Sequence, residues 1–459
     1  MNATTSGSFQ SPVSADGQYI VFRSTSDTIV TPDNNAAEDI FVEDRVGGGF
    51  ERVSVAFDGS EANGASTDPS MSSDARYVVF VSTATNLVPG GTNGDPQVFL
   101  RDRVAGTTEL VSVSTSGTQG NDGGRDPVVS ADGRYVVFSS LSITLVPSDT
   151  DAAEDLFLRD REFGTTTRLN LSPSGAESSG SAIWPAIAAD GSAVAYVSGA
   201  TDLVDGGDAN GGIVDIFVYD MNTGRTDRIS RNTDGVQADN ATCAGCSGLR
   251  PSLSDNGRFV AYESPATNLV RGDTNNQNDA FVFDRITATT ERISIATDGT
   301  QSSNGGAANL FPWISGDGRY IGFQSSAETL SPLDVATTDV FVRGPDVSDP
   351  LGIDAVLHPD GVLDDTVLES LDVGTQLLQT LCPATEVSLA AGTAAFLRPE
   401  SDPGTTTANC PDDGPLNGDG DTEDTVVAFW AGAGPVLNLA RAADTIVVND
   451  AWIGALAGC

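Results

Sequence analysis

Short runs of alternating apolar residues, separated by clusters of Gly, Asp, Asn and Ser, recur along the first three quarters of the chain. One complete unit spans residues 126–171 and contains four such runs, with Tyr135-Val136-Val137-Phe138 and Leu156-Phe157-Leu158 the most apolar. Alternation of this kind suits a pleated strand, and branched or aromatic side chains favour it. The intervening Gly and Asp residues favour tight turns. The pattern therefore predicts four β-strands per unit.

The unit recurs six times, and its opening proline marks the register. This proline stands at Pro12, Pro69, Pro127, Pro185, Pro251 and Pro312. The gaps between successive prolines are 57, 58, 58, 66 and 61 residues. Four strands per unit, repeated at one spacing, predict an all-β fold of the β-propeller type.

The motif Pro-x-x-Ser-x-Asp-Gly-Arg-Tyr-Val-x-Phe, which runs here from Pro127 to Phe138, resembles the TolB-like β-propeller repeat of bacterial periplasmic and secreted proteins. The resemblance covers roughly residues 10–343. It implies a propeller and an exported location. It implies no single activity, because propellers of this type serve as protein-binding platforms and as gates on peptidases.

Residues 1–345 are predicted to form six four-stranded blades. The sixth unit loses its fourth strand after Arg343, whereas residues 1–7 align with residues 111–117, a fourth strand and its turn. A strand from the start of the chain would close the last blade and leave no open sheet edge.

Residues 346–459 carry a second repeat, whose motif differs from that of the first. Asp365-Thr366-Val367-Leu368 recurs 59 residues later as Asp424-Thr425-Val426-Val427. We expect a C-terminal β module of two blade-like repeats, which belong to a truncated second propeller. The alternative is a single eight-bladed ring that includes both repeats.

The balance of charge is strongly acidic. Asp and Glu number 64 against 23 basic residues, all of them Arg, for a formal net charge of −41. Such a surface repels the phosphates of nucleic acids and anionic lipids, so neither is an expected partner. No apolar run is long enough to span a membrane. The acidity serves solubility in one interpretation and cation binding through clustered carboxylates in the other.

The loop before the third strand repeats one spacing of oxygen-bearing residues in three units. These residues are Asp33, Asn35 and Asp39, then Asp149, Asp151 and Asp155, then Asp273, Asn275 and Asp279. Ca²⁺ takes six to eight oxygen ligands, so the spacing predicts calcium sites. In the alternative interpretation the same side chains cap the turn by bonding local backbone amides.

A second calcium loop is predicted near the C-terminus. The stretch from Asn417 to Asp424 resembles the Asp-x-Asn-x-Asp-Gly loops of secreted repeat proteins, although Pro415 replaces the usual first Asp. The expected ligands are Asn417, Asp419, Asp421 and Asp424.

Five cysteines add one further expectation. Cys243 and Cys246 lie in the loop that lengthens the fourth spacing, where a disulfide that staples the loop is predicted. Cys382 and Cys410 are candidates for a second bridge, and Cys459 is left over at the last position.

Signals for catalysis are weak. The only histidine is His358, no Gly-x-Ser-x-Gly elbow occurs, and a phosphate loop with Lys is excluded because the chain has no Lys. The predicted function is therefore a secreted, periplasmic or cell-surface binding and scaffold propeller, stabilised by calcium, non-catalytic, with a protein or glycan partner. The alternative is a carbohydrate-active enzyme, or the gating propeller of a hydrolase whose catalytic domain is not in this chain.

Overall fold

A computed structural model gives the architecture. It describes residues 13–343 except 152, 241–249, 276, 297–299, 303–310, 326, 328 and 331–338. Beyond residue 343 it describes the backbone of eight strands. Among all the residues that the structure describes, every regular element is a β-strand, and no helix has the length and hydropathy needed to span a bilayer.

Six antiparallel sheets follow one another along the chain, and we number them blades 1 to 6. Blade 1 consists of β1 (Tyr19–Ser24), β2 (Asp39–Asp44) and β3 (Phe50–Arg52), with Val13 bridged to β1. Blade 2 consists of β4 (Ser66–Met71), β5 (Tyr77–Ser82), β6 (Gln97–Asp102) and β7 (Thr107–Leu110). Blade 3 consists of β8 (Gly124–Val129), β9 (Tyr135–Ser140), β10 (Asp155–Asp160) and β11 (Thr165–Arg168).

The next three sheets repeat this order. Blade 4 consists of β12 (Ala182–Ile187), β13 (Ala193–Ser198), β14 (Asp215–Asp220) and β15 (Arg225–Arg228). Blade 5 consists of β16 (Ser252–Leu253), β17 (Phe259–Ser264), β18 (Asp279–Asp284) and β19 (Thr289–Arg292). Blade 6 consists of β20 (Trp313–Ile314), β21 (Ile321–Ser325) and β22 (Asp339–Arg343).

The repeated Ser-x-Asp-Gly motif builds the turn between the first two strands of a blade. In blade 3, Ser130 Oγ donates to Asp132 Oδ1 (2.6 Å), and the same oxygen accepts from the Arg134 amide (2.9 Å). The Gly133 amide donates to the Ser130 carbonyl (2.9 Å) with φ of 72° at the glycine. Glycine is suited to this position because the left-handed region is strained for other residues.

Blades 2, 3 and 4 are apolar on both faces, so their side chains alternate between two interfaces. In β5, Val78 and Phe80 pack towards blade 1, whereas Val79 and Val81 pack towards blade 3. The same division continues between blades 3 and 4 and between blades 4 and 5. Sheets that stack face to face in chain order form a β-propeller, so the predicted fold class is confirmed.

One aromatic pair joins the second and third strands of each of the six blades. In blade 1 these strands are β1 and β2, because the bridge at Val13 takes the place of the first strand. The ring centroids lie 5.5–5.9 Å apart and the rings are stacked. The pairs are Phe22–Phe41, Phe80–Phe99, Phe138–Phe157, Tyr196–Phe217, Tyr262–Phe281 and Phe323–Phe341. Full burial of one such ring stabilises the fold by about 1.5–3 kcal/mol, which explains why the aromatic residue recurs at this register.

A second contact joins neighbouring blades at the turn. The ring of Tyr77 in blade 2 lies directly beneath Gly133 of blade 3, where an added Cβ would meet the ring Cδ2 at 2.1 Å. The guanidinium of Arg161 covers the other side of this interface, 5.0 Å from the centroid of the same ring. The turn glycine is therefore required by packing between blades as well as by its backbone conformation.

The C-terminal strands lie mainly in a second compact unit, which comprises residues 296–300, 327–337 and 347–459. Its strands are β23 (Thr366–Asp372), β24 (Leu377–Ala384), β25 (Glu386–Ala390), β26 (Thr393–Pro399), β27 (Thr425–Trp430), β28 (Leu437–Ala442), β29 (Thr445–Val448) and β30 (Ile453–Leu456). Strands β25 to β28 form one four-stranded antiparallel sheet. The blade count, the domain boundary at residue 345 and the two-repeat module stay predictions, and the closing N-terminal strand lies outside the described residues.

The packing of Tyr77 against the turn gives a testable prediction. Gly133→Ala and Gly117→Ala both place an alanine at positive φ, which costs about 1–2 kcal/mol. An added Cβ at Gly117 meets nothing within 4 Å, whereas at Gly133 it meets the tyrosine ring. We expect Gly133→Ala to lower the free energy of unfolding by about 1–3 kcal/mol more than Gly117→Ala.

Urea denaturation of both variants beside the unmodified chain measures this difference. Equal losses at the two glycines would show that the contact between Tyr77 and the turn does not constrain the blades.

Candidate functional site

The predicted calcium loops join the second and third strands of their blades. Their last acid is the first residue of the third strand: Asp39 begins β2, Asp155 begins β10 and Asp279 begins β18. Asp215 begins β14 in the same way. These four side chains are at most 1% exposed. Because a buried carboxylate is costly unless it is hydrogen-bonded, its neighbours decide what the loop can do.

One neighbour is a hydroxyl or amide that follows the outer strand. In blade 1, Ser54 Oγ donates to Asp39 Oδ1 (2.6 Å) and accepts from the Ile40 amide (3.0 Å). Ser230 and Ser294 make the same two bonds in blades 4 and 5, and Asn170 makes them in blade 3. One oxygen of each buried acid therefore fastens the chain after the outer strand to the start of the third strand.

The second neighbour is an arginine at the end of the outer strand, which lies between the first and the last acid of the loop. The arginines are Arg52, Arg168, Arg228 and Arg292 in blades 1, 3, 4 and 5. Their nitrogens lie 3.6, 2.7, 3.1 and 3.4 Å from the last acid, in the same blade order. They lie 2.8, 3.7, 3.7 and 3.3 Å from the first acids, Asp33, Asp149, Asp208 and Asp273. We call each set of two acids and one arginine an arginine clamp.

Blade 2 shows that the charges of the clamp belong together. The first acid is replaced by Gly91, the last acid by Gln97 and the arginine by Leu110. Gln97 Oε1 still accepts from Ser112 Oγ (2.6 Å), and its Nε2 donates to the Gly120 carbonyl (3.2 Å). All three charged groups are absent from the same blade, which indicates that the guanidinium is there to balance the two carboxylates.

In blades 1 and 5 the middle residue of the loop is an asparagine that hydrogen-bonds within the loop, whereas a calcium site would use its side-chain oxygen as a ligand. Asn35 Nδ2 donates to Asp39 Oδ2 (3.1 Å), and its Oδ1 accepts from the Ala37 amide (2.8 Å). Asn275 makes the same pair of bonds to Asp279 and Gln277 (3.0 Å each). These are the turn-capping bonds of the alternative interpretation, and calcium at these two loops stays a prediction.

Blade 3 departs from this arrangement because its middle residue is an acid. Asp149, Asp151, Asp155 and Glu177 each offer an oxygen, and these four oxygens lie within 4.8 Å of one another. No second group of three or more potential metal ligands is this compact in the described part of the chain. Ligand oxygens that share one Ca²⁺ at about 2.3–2.6 Å lie within this distance of one another.

Burial dominates the titration of the clamps. It raises the pKa of Asp155 to about 7 and that of Asp215 to about 6, and the arginines oppose this rise only in part. Glu177 shows the opposite effect, since hydrogen bonds from Thr150 and then from Arg168 lower its pKa to about 2. Burial therefore makes the charged forms of Asp155 and Asp215 costly, and a nearby cation stabilises them.

The other sequence candidates lie outside the described residues. These are Asn417, Asp419, Asp421 and Asp424 of the C-terminal loop, His358 and the five cysteines. For Cys382 the structure describes the backbone alone. The calcium and disulfide predictions for them stand untested.

A second group of side chains escaped the sequence reasoning. The residue before the repeat proline has positive φ in four blades: 48° at Asp68, 51° at Asp126, 54° at Trp184 and 39° at Phe311. In blades 2 to 4 it sits in a β-bulge of the first strand, where the pairing register shifts. Non-glycine residues at such angles are strained and cluster at binding sites.

Three residues at this position, Asp68, Asp126 and Arg250, lie close to one another. Arg250, the equivalent residue of blade 5, donates from Nη2 to Asp126 of blade 3, although blade 4 lies between them in the chain. Burial and then the charge of Asp126 raise the pKa of Asp68 in blade 2. First strands of three blades thus face one another, as inner strands around a common axis do. We call Asp68, Asp126, Trp184, Arg250 and Phe311 the axial residues.

Comparisons with known proteins place the chain among propellers only at low similarity. No protein-family model matches the sequence, and no curated protein matches it. Among solved structures, TolB from Acinetobacter baumannii is 19% identical with a TM-score of 0.36, and the match covers 61% of this chain and 53% of TolB. The β-propeller domain of the Trilobed protease from Pyrococcus furiosus is 9% identical with a TM-score of 0.41, and the match covers 95% and 94%.

An acylaminoacyl peptidase from Pyrococcus horikoshii is 10% identical with a TM-score of 0.40, and the match covers 95% of this chain and 51% of the peptidase. At these values the comparisons carry no argument on activity, ligand or partner. The propeller fold of this chain stands on its own sheets.

The arginine clamp predicts a pH-dependent loss of stability. Arg228→Leu copies blade 2 at one position only and leaves Asp208 and Asp215 without their guanidinium. Breaking a buried pair in this way costs about 3–5 kcal/mol at neutral pH. Because the raised pKa of Asp215 makes its charged form costly, its contribution to stability is greatest at low pH and is lost as pH rises through about 6. We therefore expect the loss in Arg228→Leu to shrink between pH 7.5 and pH 5.

Denaturant unfolding at the two pH values measures the effect, with Arg225→Leu on the same strand as the exposed control, expected within about 0.5 kcal/mol of the unmodified chain. The triple change Asp208→Gly, Asp215→Gln and Arg228→Leu should recover most of the loss. A single variant as stable as the control would contradict the clamp.

Proposed function

We propose that this protein is a non-catalytic binding and scaffold propeller that acts outside the cytoplasm, is stabilised by calcium and engages a protein partner through its axial residues. The observation that carries the proposal is the variation of side chains at the position before the repeat proline, whose backbone is strained in four blades. This position holds Asp68, Asp126, Trp184, Arg250 and Phe311 in successive blades.

Repetition supports the argument because the blades are otherwise alike. Positions that shape the blade keep their chemistry from unit to unit, as the stacked aromatic pairs and the turn residues do. The axial position keeps a positive φ in blades 2, 3, 4 and 6, but its side chain changes from carboxylate to indole to phenyl, and blade 5 carries a guanidinium there. Trp184 also packs against the core between blades 4 and 5. The change of chemistry at a position that otherwise repeats favours a role in binding, and backbone strain at such sites is a mark of function.

The charge of the molecule favours a cationic partner. With a formal net charge of −41, the protein attracts basic groups over a distance of several ångströms and repels anionic ones. At the axis, burial and then the charge of Asp126 raise the pKa of Asp68, although the charges of Arg250 and Arg23 oppose this rise. Asp126 is paired with Arg250 directly. We infer that a Lys- or Arg-bearing segment of the partner binds beside Asp68.

A second candidate function rests on the same two acids. Asp68 has a raised pKa, and Asp126 is paired with an arginine. Two carboxyl groups in unlike environments are typical of glycoside hydrolysis, so a carbohydrate-active enzyme is the alternative. Activity towards chromogenic glycosides that is lost in Asp68→Asn would favour the enzyme over the binding platform.

The binding proposal predicts the effect of one substitution at the axis. Asp68→Asn removes the negative charge but keeps the shape of the side chain and its bond to Thr67. We expect it to weaken binding of Lys- and Arg-rich probe peptides at least tenfold, because a charge-assisted contact becomes a neutral one. Fluorescence anisotropy with a labelled peptide panel measures the dissociation constants.

The matched control is Asp227→Asn, which removes the same charge from the exposed outer strand β15. It should change affinity less than twofold, since a distant exposed charge is screened by salt. Equal effects of the two variants would mean that the peptides respond to net charge alone, and the axial site would then be rejected. Strong binding to a neutral glycan array that needs Asp68 would replace the protein partner by a glycan.

A further inference from the structure

The loop of blade 3 differs from the loops of blades 1, 4 and 5 at its middle position, and this difference decides the partner of one oxygen atom of the last acid. In blades 1, 4 and 5 the middle residue is an asparagine whose Nδ2 donates to Oδ2 of the last acid, at 3.1, 3.4 and 3.0 Å. In blade 3 the middle residue is Asp151, which has no N–H to donate. Asp155 Oδ2 accordingly has no hydrogen-bond partner, although Asp155 is 0% exposed.

The replacement also brings a second oxygen to the place that the amide nitrogen holds elsewhere. Asp151 Oδ1 accepts from the Ala153 amide (2.8 Å), which is the bond that the asparagine Oδ1 makes in blades 1 and 5. One carboxylate oxygen of Asp151 lies within 4.8 Å of one carboxylate oxygen of Asp155. Two carboxylate oxygens in this arrangement repel each other unless a cation lies between them.

Arg168 does not satisfy the loop completely. Its Nη2 lies 2.7 Å from Asp155 Oδ1, and its Nη1 lies 2.6 Å from Glu177 Oε1 and 3.7 Å from Asp149 Oδ1. Asp149 is 7% exposed, and its Oδ1 has no hydrogen-bond partner. Two buried acids therefore each keep one oxygen that accepts no hydrogen bond from the residues that the structure describes.

The charge balance separates blade 3 from its neighbours. Four carboxylates of Asp149, Asp151, Asp155 and Glu177 face one guanidinium, a formal charge of −3. Blade 5 has two carboxylates and one guanidinium, a formal charge of −1, because Asn275 and Gln301 stand where blade 3 has Asp151 and Glu177. Blade 1 has three carboxylates beside Arg52, a formal charge of −2. A binding site for a divalent ion is expected where carboxylates exceed the resident cation, and blade 3 has the larger excess.

We propose that the blade 3 loop binds one divalent cation of the calcium class, with Asp149, Asp151, Asp155 and Glu177 as its protein ligands, and that the clamps of blades 1, 4 and 5 bind none. This inference rests on the calcium part of the proposed function and narrows it to one loop. Water completes the shell, since Ca²⁺ takes six to eight oxygens. Arg168 stays in place as the counter-ion of the oxygens that do not face the metal.

The test uses the full chain and a substitution that blade 3 borrows from its neighbours. Asp151→Asn installs the side chain of blades 1, 4 and 5, so the loop keeps its turn bond and gains the missing donor. We expect calorimetric titration with CaCl2 to show a site in the unmodified chain whose affinity falls at least tenfold in Asp151→Asn. The rise in melting temperature between chelator and calcium should disappear in the same variant, because only a ligand that binds the native state stabilises it.

The reverse substitution is the matched control. Asn35→Asp in blade 1 brings a third loop acid to Asp33, Asp39 and Glu61 beside Arg52, and should add a second calcium site by the same logic. Titration with MgCl2 controls for simple screening of the large negative charge, which lowers repulsion in every variant alike.

Two outcomes overturn the inference. If the unmodified chain melts at the same temperature in calcium and in chelator, Asp155 carries a proton instead of facing a metal, and the calcium part of the proposed function fails as well. If calcium raises the melting temperature equally in Asp151→Asn, the ion binds elsewhere, and only the assignment to blade 3 fails. Binding of basic peptides at the axis is measured separately and is unaffected by either result.

Discussion

Blades 2, 3 and 4 of this protein each bury two apolar faces, and that constraint shapes the rest of the structure. A sheet such as β4 to β7 cannot be stable alone, because Val78 and Phe80 on one side and Val79 and Val81 on the other all need to be removed from water. Stacking in chain order satisfies both faces at once. It also fixes the turns and bulges: Gly133 has to be small because the ring of Tyr77 from the neighbouring blade lies against it.

Burial of this kind makes charge expensive, and the clamps show how the chain tolerates it. In blades 1, 3, 4 and 5 the third strand begins with a buried acid that accepts a hydrogen bond from a side chain after the outer strand, as Asp39 does from Ser54. The acid is useful for its geometry but costly as a charge, so an arginine accompanies it. Blade 2 reaches the same geometry with Gln97 and no charge at all. In blade 3 the replacement of asparagine by Asp151 upsets the balance, and the resulting excess of oxygens is the reason to expect a metal there.

The sequence was sufficient to predict the fold and insufficient to predict the contacts within the loops. The spacing of the prolines and the recurring Phe of the third strand predicted the blades, because both depend on local strand geometry that each unit repeats. The partner of Asp39 depends instead on which residue the outer strand brings opposite it, and Arg52 was visible only as part of that strand. Blade 2 carries Gly91, Gln97 and Leu110 at the three positions where the other clamps carry two acids and an arginine. This joint loss of charge was the signal in the sequence that the three positions interact. The axial residues were not predicted because the positive φ of Asp68 and Asp126 is a property of the folded backbone, which the residues before the repeat proline do not reveal in the sequence.

The central claim is that repeated positions maintain the propeller and that departures from the repeat mark where it binds something else. A crystal structure of the full chain grown in calcium, with anomalous difference density recorded at long wavelength, tests this most directly. The account predicts one peak among the clamps, between Asp151 and Asp155, with the guanidinium groups of Arg52, Arg228 and Arg292 still between their two acids. Peaks in blades 1 and 5 with the arginines displaced, or no peak at blade 3, would contradict it.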